Sequence, residues 1–240
     1  MSIIVGDIHG NVEKVRAFLD YKPEEQHIAL GDYLDSFYEP KFRQLEALQM
    51  LLDSKATLLW GNHDLHYLFP IAPFICTGFQ YGKEDQYFEI ITAHKDRFKA
   101  AYAVDGWLLT HAGCHIRLAK HKSDVEKIAA HLNKKFAEWL ASPSVNPDGI
   151  FVIGQSRGGF NRIGGIFWYD FKRETGLAPV PQIFGHTETP KPVQAENYIA
   201  LDTTNNKTEC WLYDTAINEL VCLPVVRKCE YSILPTAGLW

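Results

Sequence analysis

Short uninterrupted apolar runs alternate along the chain with longer segments whose apolar positions recur every three or four residues. The run Ile3-Ile4-Val5 is β-branched throughout and predicts a strand that is covered on both faces. Residues 11–19 place their apolar side chains on one helical face, with Asn11 as the N-cap. This alternation of strand and helix predicts an α/β fold.

The same two patterns predict most of the remaining elements. Strands are predicted over residues 26–30, 56–60, 106–110, 149–153 and 182–184, and helices over 40–54 and 123–141. We expect Ser123 to cap the last helix, with Glu126 at the capping-box position. Turn residues separate three later apolar segments, which predict a closing antiparallel meander over 197–202, 209–213 and 219–225. Residues 226–240 have no periodicity that predicts an element.

Residues 65–104 differ from the rest because they are rich in aromatic side chains and are interrupted by prolines and glycines. We expect an excursion of loops and helices from the main fold, with residues 85–102 mostly helical. Aromatic side chains belong more often to a core than to a ligand platform, so burial is the first expectation for them.

Composition bounds the class of protein. The 240 residues are 46% hydrophobic and 22% charged, as in a globular protein, and we expect one domain over residues 1–240. A net charge of −5 gives no reason to expect nucleic acid or an anionic membrane as partner. The five cysteines form no C-x-x-C pair, and no signal peptide or membrane-spanning run is evident. These features predict a cytoplasmic protein and leave its oligomeric state open.

Five predicted strands end in the same way, with an apolar run, usually a glycine, and then a residue type that binds metals. These residues are Asp7 (with His9 two positions on), Asp32, Asn62, His111 and His186. Because ligands gather outside the carboxyl ends of strands in α/β sheets, the five ends can converge. Any one of them is more often a turn former or an ordinary polar residue, but five together favour a metal site. Oxygen and imidazole donors without thiolate suit manganese, iron or zinc.

The motifs at these positions resemble those of the calcineurin-like metallophosphoesterases, and among them the phosphoprotein phosphatase branch. They are GDIHG at 6–10, GDYLD at 31–35, GNHD at 61–64, HAG at 111–113 and GHT at 185–187. The resemblance covers nearly the whole chain in the order of the family. It implies a four-layer α/β sandwich, in which two mixed β-sheets are flanked by helices and the metal site lies at one sheet edge.

The resemblance also implies two divalent metal ions, with manganese as the first expectation and iron or zinc as alternatives. The implied ligands are Asp7, His9 and Asp32 for the first ion, and Asp32, Asn62, His111 and His186 for the second. Glu188 stands where other branches have a further histidine ligand. His63 resembles the family's general acid, and Asp35 would orient it.

Three positions depart from the pattern of the family. Ser36 and Asp170 stand where phosphate-binding arginines are expected, and Asp64 stands where the family has a glutamate. Serine cannot replace the charge of a guanidinium. Arg157 is the first candidate to replace the missing arginines and Arg162 the second, although both can equally be ordinary loop residues.

The function implied by the resemblance is metal-dependent hydrolysis of phosphate monoesters. The substrate would be a phosphoserine or phosphothreonine protein or a small phosphorylated metabolite. The first alternative is a dinucleotide polyphosphate hydrolase or phosphodiesterase, in which the aromatic segment 65–104 would stack a base. An alternative of another class is a scaffold with weak catalysis, against which the six ligand positions and His63 argue.

Overall fold

The computed structural model describes residues 1–70, 74–79, 82, 84–120, 123–143 and 149–225. Its strands are β1 Ser2–Val5, β2 Gln26–Ala29, β3 Thr57–Leu59, β4 Phe98–Lys99, β5 Ala101–Val104, β6 Trp107–Thr110, β7 Gln182–Phe184, β8 Val193–Gln194, β9 Tyr198–Ala200, β10 Glu209–Asp214 and β11 Glu219–Pro224. Its α-helices are α1 Val12–Asp20, α2 Lys41–Asp53, α3 Asn62–Leu68, α4 Glu84–His94, α5 Ile116–Ala119 and α6 Val125–Ala141.

The strands form two mixed sheets. The first has the order β11-β10-β1-β2-β3-β4, in which β1 to β4 are parallel and β10 is antiparallel to β1. The second has the order β5-β6-β7-β9-β8, in which β6, β7 and β9 are parallel. With helices on the outside, this is the sandwich predicted from the sequence.

Strand β1 explains why its sequence is apolar throughout. Ile4 belongs to a core between the two sheets, together with Leu109 and Ile183 of the second sheet. Ile3 and Val5 point the other way, into the core shared with the flanking helices. Both faces of β1 are therefore buried, as its continuous apolar run predicts.

Two helix boundaries show how capping works in this chain. The side chain of Asn11 accepts a hydrogen bond from the backbone of Lys14 at 2.9 Å, so the predicted cap of α1 is confirmed. The predicted cap Ser123 of α6 is wrong by one residue. Asp124 is the N-cap, and its carboxylate accepts from the backbone of Lys127 at 3.1 Å.

The prediction that residues 85–102 are mostly helical is wrong for their second half. Helix α4 ends at His94, and a 3-10 turn over Lys95–Arg97 leads into β4 and β5. Phe98 of β4 is paired with Leu58 of β3, and its ring stacks on Trp60 at 4.5 Å between centroids. These partners are distant in sequence, and their pairing outweighs local helical periodicity.

Two further predictions are corrected by tertiary packing. Residues 149–153 form a 3-10 turn over Gly149–Phe151 instead of a strand, and Phe151 packs at 4.1 Å against Trp139. The predicted meander is divided, because β9 joins the second sheet while β10 and β11 join the first. Residues 226–240, for which no element is predicted, lie outside the described residues. Within the described part of the chain, no helix is long and apolar enough to cross a bilayer.

Candidate metal centre and active site

The polar side chains that follow the strands meet at the edge where the two sheets adjoin. Asp7 and His9 follow β1, Asp32 follows β2, and Asn62 begins helix α3 directly after β3. His111 follows β6 and His186 follows β7, from the second sheet. Parallel strands end at the same edge, so their alignment in each sheet brings these residues together. The structure therefore places all six proposed metal ligands in one cluster.

The first group of donors consists of Asp7, His9 and Asp32, which offer ligand atoms within 4.8 Å of one another. Nδ1 of His9 lies 2.7 Å from the carbonyl oxygen of Leu34, which can only accept, so Nδ1 carries the proton. The Nε2 atom is then left as a donor to a metal and lies 3.7 Å from Oδ2 of Asp32. This is the tautomer that a histidine ligand requires.

The second group consists of Asp32, His111 and His186, with Asn62 between the two imidazoles. Oδ1 of Asn62 lies 2.8 Å from Nε2 of His111 and 2.8 Å from Nδ1 of His186. Oδ2 of Asp32 lies 3.4 Å from Nε2 of His111. Asp32 therefore belongs to both groups, as a bridging ligand must.

The chemistry of these donors calls for a cation. Nδ1 of His111 donates to the carbonyl oxygen of Leu30 at 2.9 Å. In a neutral ring Nε2 is therefore unprotonated, and its lone pair faces a lone pair of Asn62 Oδ1. Burial alone would lower the pKa of His111, but the charge of Asp32 raises it to about 9. A divalent cation between Nε2 of His111 and Oδ1 of Asn62 would accept both lone pairs. The residues fit a metal.

The two carboxylates of the cluster are buried and electrostatically coupled. Burial, Asp202 and Asp32 raise the pKa of Asp7 well above its usual range. Burial would also raise the pKa of Asp32, but His111 and the other imidazoles hold it well below the usual value. Such crowding of negative charge is relieved by cations, which is typical of metal sites.

Four residues of the site have left-handed backbone conformations, which are uncommon outside glycine. The φ angles are 43° for His9, 54° for Asp32, 62° for Asp35 and 67° for His186. Conformations of this kind cost free energy and persist where the surrounding structure imposes them, often at functional sites. The backbone amide of His9, for example, donates to the carbonyl oxygen of Asp32 at 2.8 Å.

Two glycines of the motifs are required by the carboxylates beside them. A Cβ atom on Gly61 would collide with Oδ1 of Asp32, and one on Gly185 would collide with Oδ1 of Asp7. The glycines thus make room for the donors as well as for the turns after β3 and β7.

His63 lies next to the cluster and contacts Asp35, as predicted from the motifs. Its Nδ1 atom is 2.9 Å from Oδ2 of Asp35, which is fully buried. Burial would lower the pKa of His63, but the charges of Asp32 and Asp35 raise it. Asp35 has two further partners that the sequence analysis missed. Nε2 of His66 lies 2.7 Å from Oδ2, and the hydroxyl of Tyr67 donates to Oδ1.

The spacing of residues along α3 could have predicted these two partners of Asp35. His66 and Tyr67 follow His63 by three and four residues, so the three side chains share one side of the helix. Donor atoms of Asp35, His63 and His66 also lie within 4.8 Å of one another. The hydrogen bond of His63 to Asp35 and the close approach of His66 to the same carboxylate account for this grouping without an ion.

Asp64, the shorter carboxylate of the third motif, contacts backbone only. It accepts from the amides of Asp32 at 2.8 Å, Tyr33 at 3.0 Å and Gly61 at 3.1 Å. It therefore holds the turn of the bridging residue Asp32 against the start of α3, in keeping with the supporting part expected of it.

The metal-donor cluster lines a cavity of about 970 Å³ that also contains Arg157. The guanidinium of Arg157 donates to Oγ1 of Thr187 at 2.6 Å and lies 3.5 Å from Oδ2 of Asp170. Arg162 is exposed and is not among the residues that line this cavity. Of the two candidate arginines, the structure brings only Arg157 to the cluster.

The aromatic side chains of residues 65–104 serve mainly in the core, as their composition suggests. Tyr67, Phe74 and Tyr87 are almost completely buried. Among the described aromatic residues of this segment, none lines the cavity. No described aromatic residue of the segment is therefore placed to stack a base within this cavity.

Comparison with known proteins agrees with this fold and identifies the family. The sequence model of the calcineurin-like phosphoesterase family matches residues 2–187. The chain belongs to this family of metal-dependent hydrolases, as predicted from its motifs. No curated protein sequence gives a significant match.

Two solved structures resemble the chain over most of its length. A mutant cold-active protein tyrosine phosphatase is 15% identical, with a TM-score of 0.59 over 92% of this chain and 76% of that one. A putative diadenosine tetraphosphatase is 16% identical, with a TM-score of 0.51 over 95% of this chain and 94% of that one. At 15% and 16% identity, these similarities show a shared fold and nothing about substrate.

Proposed function

We propose that the protein is a metal-dependent phosphatase that hydrolyses phosphate monoesters, either in phosphoserine or phosphothreonine proteins or in small phosphorylated metabolites. The observation that carries this proposal is the pair of donor groups that share Asp32 at the base of one cavity. Within the family, the proposed branch of this protein is that of the phosphoprotein phosphatases. The proposed compartment is the cytoplasm, where the described cysteines, which form no disulfide with one another, would stay reduced.

The proposed ligands of one ion are Asp7, His9 and Asp32, and those of the other are Asp32, Asn62, His111 and His186. Manganese is the proposed metal, with iron or zinc as alternatives. A pair of divalent ions held in this way would acidify a water molecule and offset the negative charge of the phosphoryl oxygens. The imidazole tautomers set by Leu30 and Leu34 support this assignment.

His63 is the proposed general acid, which gives a proton to the leaving oxygen of the ester. Because Nδ1 faces Asp35, the other ring nitrogen is the one available to substrate. Asp35 orients the ring and stabilises its protonated form, while His66 and Tyr67 hold the carboxylate. The raised pKa of His63, to which Asp32 and Asp35 contribute against the effect of burial, supports this assignment.

Arg157 is the proposed phosphate-binding residue. Asp170, which stands where related enzymes have an arginine, lies 3.5 Å from the guanidinium of Arg157. The site thus contains a guanidinium from a different segment, oriented by the carboxylate at the substituted position. Ser36, at the other substituted position, uses its hydroxyl to accept from the backbone amides of Tyr38 and Glu39, so it forms a turn.

Hydrolysis of a dinucleotide polyphosphate or another phosphodiester is the second candidate. The cavity of about 970 Å³ is much larger than a phosphoryl group requires. One structural neighbour is described as a putative diadenosine tetraphosphatase. Both observations favour a substrate with a large group attached to its phosphate.

A substrate panel with defined metals tests the proposal. Protein stripped of metal and reloaded with manganese, iron or zinc is assayed with p-nitrophenyl phosphate, a phosphoserine peptide and diadenosine tetraphosphate. We expect hydrolysis of the monoesters, loss of metal in Asp32→Asn, and loss of rate with metal retained in His63→Asn. Preferential cleavage of the dinucleotide would establish the second candidate. Metal binding without hydrolysis of any of the three would favour a scaffold.

A further inference from the structure

Three large apolar side chains of the cavity are exposed to solvent. The exposed fractions are 73% for Phe37, 61% for Tyr38 and 97% for Phe160, and all three residues line the cavity that holds the metal donors. Isolated exposed apolar residues are common, but several at one cavity mark a site of contact with another molecule. The three side chains therefore indicate a contact surface beside the metal donors.

Phe160 is presented by a tightly held turn. The backbone amide of Gln155 donates to the carbonyl oxygen of Asn161 at 2.7 Å, and that of Gly159 donates to Gly154 at 3.0 Å. A Cβ atom on Gly159 would collide with the carbonyl oxygen of Ile153. The backbone around Phe160 is thus fixed by hydrogen bonds and close packing, while its ring remains almost wholly in solvent.

The same turn carries Arg157, three residues before Phe160. The guanidinium of Arg157 points into the site, where it contacts Thr187 and Asp170. One short segment therefore presents a cation to the phosphoryl position and an aromatic ring to the rim of the same cavity. A ligand that spans the two needs an anionic group and an apolar group within one small molecule.

Phe37 and Tyr38 belong to a second segment of the rim. The backbone amide of Tyr38 donates to Oγ of Ser36 at 3.2 Å, which holds the turn. The ammonium of Lys207 lies 3.2 Å from the centre of the Tyr38 ring, a cation–π contact that restrains the ring. Two separate segments thus supply aromatic rings to one cavity.

We infer that Phe37, Tyr38 and Phe160 form an aromatic subsite for a planar ring carried by the phosphorylated substrate. The inference rests on the proposed phosphatase function and narrows its substrate class. Flat rings of a nucleobase or a phenol stack on aromatic side chains, whereas the aliphatic stem of phosphoserine offers no such face. The substrate class is a phosphate compound with a planar aromatic group, for which a nucleobase and a phenol are the two sources.

Two pairs of matched ligands distinguish the contribution of the ring to binding affinity from that of the phosphate. Binding of AMP and of ribose 5-phosphate, which has the same phosphate and sugar without the base, is measured by titration calorimetry on manganese-loaded His63→Asn protein. We expect AMP to bind about 5- to 150-fold more tightly, the range for stacking of one base. Phosphotyrosine and phosphoserine form the second pair, and a preference confined to one pair identifies the source of the ring.

Substitution of the rim residues then tests whether their side chains cause the preference for the ligand that carries a ring. Phe160→Ala and Phe37→Ala are expected to remove most of the preference while leaving binding of ribose 5-phosphate unchanged. Phe42→Ala is the matched control, because Phe42 is 67% exposed and does not line the cavity. Equal affinity within both ligand pairs, or a preference that survives Phe160→Ala and Phe37→Ala, would overturn the subsite.

The binding assay also distinguishes this inference from the proposed function. Wild-type protein that hydrolyses p-nitrophenyl phosphate but shows no preference within either pair is a phosphatase without the subsite. Protein that shows the preference and loses it in Phe160→Ala, yet hydrolyses none of the tested phosphates, has the subsite without the proposed activity.

Discussion

Nδ1 of His63 lies 2.9 Å from Oδ2 of Asp35. The same carboxylate contacts His66 and Tyr67, so it cannot turn away from His63 without breaking the hydrogen bond from Tyr67 and the close contact with His66. The imidazole ring is thus oriented by a buried group that is itself held by two neighbours on helix α3. The backbone amide of His63 also donates to Oδ1 of Asp32 at 2.9 Å, which links the proposed general acid to the bridging carboxylate.

Replacing Asp35 by asparagine is expected to lower kcat by about 100- to 10,000-fold for an alkyl phosphate, because His63 loses its orientation and the charge that favours its protonated form. The loss should be much smaller for p-nitrophenyl phosphate, whose leaving oxygen needs little protonation. Rates on the two substrates, with metal content measured in parallel, check this prediction. An equal loss on both substrates at full metal content would contradict the role of His63 as acid.

Replacing Arg157 by alanine is expected to reduce kcat/KM by about 10- to 150-fold, the effect of losing charge-assisted hydrogen bonds to a phosphoryl group. Arg157→Lys should recover only part of the loss, since an ammonium cannot bind in a bidentate manner. Arg162→Ala is the matched control and should retain the wild-type value, because Arg162 does not line the cavity. Steady-state kinetics on one monoester compare the three variants.

Removing the metals is expected to destabilise the fold as well as abolish activity. Asp7 and Asp32 are buried, and burial together with the charges of Asp202 and Asp32 disfavours the ionised form of Asp7 when no cation lies beside it. Manganese at 100 times its dissociation constant should add about 2.7 kcal/mol per site to the free energy of unfolding. Thermal unfolding with manganese and with EDTA measures this gain. Asp32→Asn, which lacks the bridging carboxylate, should show a much smaller difference between the two conditions.

Replacing Asp64 by alanine is expected to destabilise the metal-free protein by about 3 kcal/mol, because three buried amides lose their acceptor. Asp64→Asn keeps one carbonyl acceptor and should lose less. Urea unfolding in the presence of EDTA excludes any contribution from metal affinity. Similar stability of Asp64→Ala and the wild type would mean that other groups satisfy these amides.

The pH dependence of stability is predicted most clearly away from the metal site, at Asp214. Burial alone would raise the pKa of Asp214, but hydrogen bonds from Lys22, Ala216 and Tyr21 lower it. A lowered pKa in the folded state stabilises the fold above the unfolded pKa of about 3.9, and this contribution disappears as the pH falls toward the folded pKa.

Asp214→Asn should therefore cost about 1–2 kcal/mol at neutral pH, and the difference from the wild type should shrink below about pH 4. Urea unfolding between pH 3 and pH 7, done with EDTA, tests this. Lys22→Met removes one partner of Asp214. It should lower the free energy of unfolding by less than Asp214→Asn does, and this loss should also shrink as the pH falls. A difference that is constant over the whole range would contradict a lowered pKa.

The strand ends were predictable because each is a local pattern with a direct physical meaning. Buried strands need apolar runs, and the turn after β3 needs Gly61 because the carboxylate of Asp32 lies against it. Residues Asp7, Asp32 and His186 follow from the same pattern. The pairing of His63 with Asp35 also followed, although only through resemblance to a known family.

Features that depend on distant partners were not predictable from local pattern. Phe98 and Lys99 lie within a segment predicted to be mostly helical, yet they form β4 because they pair with β3, which is distant in sequence. Phe151 turns inward to meet Trp139 instead of extending a strand. The exposed ring of Phe160 was missed for the opposite reason, since nothing local distinguishes an exposed phenylalanine from a buried one.

The pairing of β1 with β10 has a consequence for how the protein is made. Ser2 and Thr215, which are hydrogen-bonded beside this pair of strands, are 213 positions apart. During synthesis β1 is therefore made long before β10, the strand that pairs with its second edge. Until then, one edge of a very apolar strand stays unpaired. His186 emerges almost as late. We expect the full set of metal donors to be present only after His186 has been synthesised, and nascent chains to depend on chaperones until β10 closes that edge.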